Sequence, residues 1–271
     1  MSFEQVEVVR DVTLGQFKHV LFDFDGTISL LREGWQGIMN PLMTEMICGD
    51  TEPTEAIAQR STDFIDETTG IQTILQMEGL VDIVKEYGLV PEDQILDAQG
   101  YKKIYNDRLM VPVNERLGQL ESGQKTQEDF CVIGSRDFVA KVAEQGPDLY
   151  IFSGTNQDDV RNEANKLGVD HHFSDIWGAL RTIKEFSKEK ILTEMIEKHD
   201  LHGPEVLIIG DGPVEIRLAH ENGCVSIGVA SEEVNGGLDA SKRDRLLKVG
   251  ADFIVPDFTE ADALVEYLFK A

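Results

Sequence analysis

The 271-residue chain is short of three things: cysteine, basic residues and long apolar runs. Its three cysteines, Cys48, Cys131 and Cys224, lie far apart and form no CxxC pair. An odd, scattered set argues against a disulfide framework and a cysteine zinc site, and fits a reducing compartment. No apolar run approaches the ~20 residues of a membrane span. The first residues, MSFEQVEVVR, carry acids and no apolar stretch of signal-peptide type, so the expected location is the cytoplasm. Twenty-five Lys and Arg face fifty Asp and Glu, a net charge of −25. A surface this negative repels phosphate backbones and anionic lipid, which argues against nucleic-acid and membrane partners. A small anionic ligand remains compatible, provided a metal ion or local cations neutralise it.

What is present is an ordinary globular composition, 41% apolar and 28% charged, with no repeat and no low-complexity stretch. Short β-branched and aromatic runs recur at His19–Phe24, Leu149–Phe152, Val206–Ile209, Val225–Val229 and Phe253–Val255. Several are continuous rather than alternating, as in strands buried on both faces of a parallel sheet. Helical patterns lie between them: Val160, Ala164 and Leu167; Ile191, Leu192, Met195 and Ile196; Ile216 and Ala219. This alternation predicts an open α/β sheet with helices on both faces, whose ligands bind beyond the carboxyl ends of the strands. From about Arg32 to Gln124 only helical patterns recur, too long a stretch for an ordinary crossover. The expected division is an α/β core of residues 1–31 and 125–271 with an all-helical lobe of residues 32–124. A helix around Phe130, Ile133, Val139 and Val142 returns the chain to the core, and the first eighteen residues read as a small β element without a function.

The chemistry concentrates at strand ends. In HVLFDFDGTIS, Asp23 and Asp25 follow an apolar strand, and residues i and i+2 share a strand face. Two such carboxylates repel unless a cation sits between them or they share a proton. Gly26 allows a sharp turn and Thr27 offers a hydroxyl. Beyond the second strand, Ser153, Gly154 and Thr155 present hydroxyl and backbone N–H groups suited to phosphate oxygens, although for this segment alone an N-cap by Thr155 or Asn156 is the commoner role. Lys188 opens a helix, where a cation opposes the dipole and stability alone gives it no reason to be; Lys184 and Lys190 are its rivals. In VLIIGDGPVEI, Asp211 follows a four-residue apolar run, Pro213 suits the first helical position and Glu215 lies four residues on.

Together these segments resemble the haloacid dehalogenase superfamily, in its phosphatase branch. DFDGT matches the first motif, FSGT the second, Lys188 the third and GDGPVE the fourth, with Glu215 where Asp is commoner and Glu189 where a proline usually follows the lysine. HHFSDIWGAL is similar to the segment before the lysine, and the helical lobe falls where such proteins carry a cap. The resemblance implies a hydrolase of small phosphate monoesters, of sugar or nucleotide type, with Mg²⁺ as cofactor. Asp23 would become an aspartyl-phosphate, and Asp25 would act as acid and then base. Ser153, Gly154 and Lys188 would hold the phosphoryl group. Asp23, the Asp25 carbonyl and Asp211 would ligate the metal, with Glu215 acting through a metal-bound water and Thr27 behind. The alternatives are a phosphomutase acting on a sugar phosphate and a non-catalytic binding or regulatory protein of the same fold. Trp35, with Arg32 and Glu33, lies where the first motif enters the cap, so Trp35 is a candidate substrate contact. Arg60, Lys102, Lys103, Arg108 and Arg116 are equivalent candidates from the cap. Lys242, Arg243, Arg245 and Lys248 read as one solvated helical face, and His171–His172 as a loop pair.

Overall fold

The computed structural model describes residues 3–179 and 187–270. The described strands are β1 (Glu7–Val8), β2 (His19–Phe22), β3 (Asp148–Asn156), β4 (Asp175–Ala179), β5 (Val206–Gly210), β6 (Val225–Val229) and β7 (Phe253–Val255). They form one sheet in the order β1-β7-β6-β5-β2-β3-β4, parallel except for β1 against β7. The expected α/β architecture is therefore present, with β2 at the centre between β5 and β3.

Alternation along each strand sends side chains to two different helical layers. Val20 and Phe22 of β2, Leu149 and Ile151 of β3, and Leu207 and Ile209 of β5 join one core with α5 (Ser135–Glu144), α6 (Gln157–Lys166) and α10 (Ala261–Phe269). Leu21, Tyr150, Phe152, Val206 and Ile208 join the other, with α7 (Lys188–His199) and α8 (Pro213–Glu221). With both faces covered, β2, β5 and β6 are buried at every residue, which is why their sequences run apolar without alternation. The remaining core helix is α9 (Ala240–Lys248), packed on β6 and β7.

Between β2 and β3 lie α1 (Gln36–Cys48), α2 (Glu55–Thr68), α3 (Thr73–Tyr87) and α4 (Ala98–Glu121). They bury an apolar cluster of their own, built on Met39, Leu42, Met43, Met77, Leu80 and Tyr101. No strand interrupts them among the described residues.

Two local expectations change, and one strand appears that no expectation covered. The second strand does not end at Phe152: it runs on to Asn156 through a register shift against β4, so Ser153–Thr155 lie within the strand. The returning helix begins only at Ser135, because Phe130 closes a separate 3₁₀ turn and Ile133 is 52% exposed. β4 itself, DIWGA, is a strand at the sheet edge. The small N-terminal β element is β1, whose Glu7 carboxylate accepts from Arg243.

Candidate active site

The sheet's alternation aims Asp23. Its N–H still donates to the Ile209 carbonyl, at 2.8 Å, so it follows β2 in register and its side chain takes the face of Leu21, towards α7 and α8. There, carboxylate oxygens of Asp23, Asp211 and Glu215 all lie within 4.8 Å of one another. Two backbone features make that approach possible. Gly26 has φ +76°, and a Cβ there would stand 2.3 Å from Asp211 Oδ2, so only glycine lets the first loop pass the second acid. Glu215 is drawn inward by the start of α8, where its Oε1 accepts the Gly212 N–H at 2.7 Å.

Lys188 enters from the first turn of α7, 5% exposed, and donates from Nζ to Asp23 Oδ1 at 2.8 Å and to Glu215 Oε2 at 3.1 Å. Its ammonium also lies 5.0 Å from the centre of the Phe152 ring. Burial opposes the Lys188 charge, but Asp23 and Glu215 outweigh it and hold its pKa above the ordinary lysine value. Burial drives the Asp23 carboxyl well above the usual carboxylate range; Lys188 opposes this, while Glu215 and Asp211 add to it. The cluster is thus short of positive charge, and its donors are all hard oxygens. That is a set suited to a divalent cation such as Mg²⁺.

Asp25 stands beside a second network. Its Oδ2 accepts from Thr155 Oγ1 at 2.8 Å, and its Oδ1 lies 3.8 Å from Arg32 Nε. Arg32 is itself clamped by Glu163 of α6 through two bonds, at 2.6 and 3.2 Å, and both residues are buried. Burial raises the Asp25 pKa against the pull of Arg32 and the Thr155 bond. A shift in this direction favours the protonated form that a proton donor requires.

A cavity of about 90 Å³ opens between these groups. Asp23, Asp25, Ser153, Gly154, Thr155, Lys188 and Asp211 form its core side; Trp35, Thr73, Gln76, Tyr105 and Leu109 form its helical side. The volume is well below the ~300 Å³ of a typical small-molecule pocket, so this conformation fits a phosphoryl-sized group and a small substituent. The helical segment presses close: a Cβ on Gly154 would stand 2.7 Å from the Ile71 carbonyl oxygen.

The sequence-derived candidates Asp23, Asp25, Ser153, Gly154, Lys188 and Asp211 line one cavity, with Glu215 behind it. Thr27 is fully buried and its hydroxyl has no partner among the described residues. Of the rivals of Lys188, Lys190 is half exposed and pairs with Glu194, and Lys184 lies outside the described residues. Thr155 does not cap α6, since its hydroxyl is spent on Asp25; Asn156 holds the N-cap position without a side-chain cap bond. Trp35 lines the cavity, whereas none of Arg60, Lys102, Lys103, Arg108 and Arg116 does. Lys103 and Arg108 pair with Asp107 and Glu45, Arg116 holds the Leu31 and Glu33 carbonyls, and Lys102 reaches Asn156.

One expectation is overturned outright. Lys242 is not part of a solvated face: it is 8% exposed, its Nζ lies 3.1 Å from Asp211 Oδ2, and it also donates to Glu233. The signal that marked Lys188, a lysine in the first turn of a helix, was equally present at Lys242. Arg245 is likewise engaged, reaching Asp66 of α2 at 2.8 Å.

In an open α/β sheet, acids from two strand ends that converge at the carboxyl edge stand where ligands of this architecture bind. The sequence model of the haloacid dehalogenase-like hydrolase family matches residues 20–229, and the chain belongs to that family. No curated protein matches the sequence. Among solved structures, the chain resembles a predicted phosphoglycolate phosphatase from Haemophilus somnus (19% identity, TM-score 0.59, covering 92% of this chain and 97% of that one). It also resembles a β-phosphoglucomutase from Clostridium difficile (15%, 0.60, 94% and 100%). A third is a predicted phosphatase from Clostridium acetobutylicum (17%, 0.58, 92% and 99%). At these identities the likeness is one of fold. No helix among the described residues is long and apolar enough to cross a membrane.

Proposed function

We propose that the protein hydrolyses small phosphate monoesters through a phospho-enzyme on Asp23, with residues 32–124 as a cap over the site. The observation that carries this reading is the buried cluster in which Asp23 meets Asp211 and Glu215 with Lys188 on its flank. The oxygen donors fit Mg²⁺, which Asp23, the Asp25 carbonyl and Asp211 would hold. When bound, such an ion offsets phosphate charge and polarises the phosphoryl group. Glu215 has one oxygen on the Gly212 N–H and the other on Lys188, which supports a role through water or through the lysine rather than as a direct ligand.

In this mechanism an Asp23 oxygen attacks phosphorus while the bond to the ester oxygen breaks. Asp25 gives its proton to the departing alkoxide, and the phosphoryl group stays on Asp23. Asp25, now a carboxylate, takes a proton from the water that attacks phosphorus; Asp23 leaves as carboxylate and inorganic phosphate is formed. Lys188 and the backbone and hydroxyl of Ser153–Gly154 hold the equatorial oxygens, where charge develops. Arg32, fixed by Glu163, keeps Asp25 aimed at the cavity. The apolar wall of Trp35, Tyr105 and Leu109 excludes water from the leaving-group side.

A phosphomutase uses the same first half-reaction and passes the phosphoryl group to a sugar. A screen of phosphorylated metabolites for free phosphate, with Mg²⁺ and with EDTA, tests the reading: Mg²⁺-dependent release from at least one small ester is expected. Release unaffected by EDTA, or isomerised sugar phosphate in place of free phosphate, would overturn it.

A further inference from the structure

Lys242 is buried where a lysine gains little for stability. It lies in the first turn of α9, whose N-cap Asp239 accepts the Lys242 N–H at 2.9 Å, and positive charge at that end opposes the helix dipole. Its ammonium is nevertheless enclosed, between Asp211 Oδ2 at 3.1 Å and Glu233 of the loop after β6. That loop also rests on the first motif, where Ser231 Oγ donates to the Gly26 carbonyl at 3.4 Å. Lys242 does not line the cavity: it stands behind Asp211 and acts on the site only through that carboxylate.

The two lysines divide the cluster. Lys188 takes Asp23 and Glu215, and Lys242 takes Asp211. Counted formally, the carboxyl groups of Asp23, Asp211, Glu215 and Glu233 with the two ammoniums give a local charge of −4 + 2 = −2. Without Lys242 it would be −3, and Asp211 would offer both oxygens to any cation entering the cavity.

We infer that Lys242, anchored by Glu233, is a positioning residue that occupies one oxygen of Asp211 and thereby sets a deliberately moderate affinity of the site for divalent cation. The inference rests on the reading of Asp211 as a metal ligand. A cation held too tightly would lock Asp23 against its neighbours; a counter-ion behind Asp211 keeps the site acidic enough to bind and weak enough to exchange.

The test is Mg²⁺ titration by calorimetry on metal-stripped full-length protein. Lys242→Met removes a unit charge beside the ligand and is expected to tighten Mg²⁺ about tenfold, equivalent to about 1.4 kcal/mol. Glu233→Gln frees the ammonium to act on Asp211 alone and is expected to weaken Mg²⁺. Opposite signs support the inference. If Lys242 merely props the fold, both substitutions loosen Asp211 and both weaken binding, which overturns it, as does unchanged affinity in Lys242→Met. Should Lys242→Met fail to fold, Lys242→Gln carries the same expectation. If wild type binds no Mg²⁺, or Asp211→Asn binds it equally well, the ligand reading of Asp211 is what fails.

Discussion

Replacing Asp23 with asparagine should abolish phosphate release and, in the absence of metal, leave the protein as stable or more stable. The Asp23 carboxylate lies 2.8 Å from the Lys188 ammonium. At an effective dielectric of about 20, that pair is worth about 6 kcal/mol. The carboxylates of Asp211 and Glu215 lie within 4.8 Å. At the same dielectric they oppose it by at least about 3.5 kcal/mol each, about 7 or more in all. Attraction and repulsion thus nearly cancel, and the burial of Asp23 adds a desolvation cost that nothing offsets. Asparagine keeps an oxygen for Lys188, which retains Glu215 as its ionic partner. The metal-free gain should be about 1–3 kcal/mol, at about 2–4 °C per kcal/mol for a chain of this length. The assay is thermal unfolding in EDTA and in excess Mg²⁺. Wild type should gain more from Mg²⁺ than the variant, because a ligand that binds only the folded state stabilises in proportion to its affinity. A variant that melts lower than wild type in EDTA, or that still turns over substrate, would refute the reasoning.

Gly26→Ala should cripple activity, since its Cβ would collide with Asp211 Oδ2 and its φ of +76° disfavours any L side chain; unaltered turnover would contradict the close approach. Arg32→Met should cost about 3–5 kcal/mol by stranding the buried Glu163 carboxylate. The double variant Arg32→Met with Glu163→Met should recover much of it, read by urea denaturation; equal loss in both would remove the pairing argument. Burial, with the His199 ring 4.7 Å away, holds the His19 imidazole below its ordinary pKa. Above about pH 6.5 it is neutral both folded and unfolded, but below that the unfolded chain takes up a proton the folded chain refuses. Stability therefore falls as pH drops from about 6.5 towards the lower folded value. His19→Gln should shrink that fall in urea midpoints measured at pH 7.5 and 5.5.

Much of the fold was legible because a sheet covered on both faces writes itself as continuous apolar runs. Four such runs placed β2, β5, β6 and β7 within two residues, and the acids at their ends followed from the sheet rule. β4 escaped because DIWGA is too short and too mixed to separate from a loop; its pairing with β3 is what makes it a strand. The same pairing prolonged β3 past Phe152 and turned Thr155 from an expected cap into a partner of Asp25. Lys242 escaped for a different reason. Four basic residues within seven positions look like a solvated face, and only the packing of α9 against the strand ends turns one of them inward. Arg32 was visible as a boundary residue, but Glu163, its buried anchor, comes from a helix 131 positions away.

In the proposed mechanism Asp23 is the group that takes the phosphoryl unit. Beryllofluoride, which bonds to aspartate in place of a phosphoryl group, tests this without knowledge of the substrate, by fluorine NMR of the protein with Mg²⁺. Protein-bound resonances that appear in wild type, require Mg²⁺ and vanish in Asp23→Asn are the predicted result. Bound resonances that persist in Asp23→Asn, or none in wild type, would contradict it.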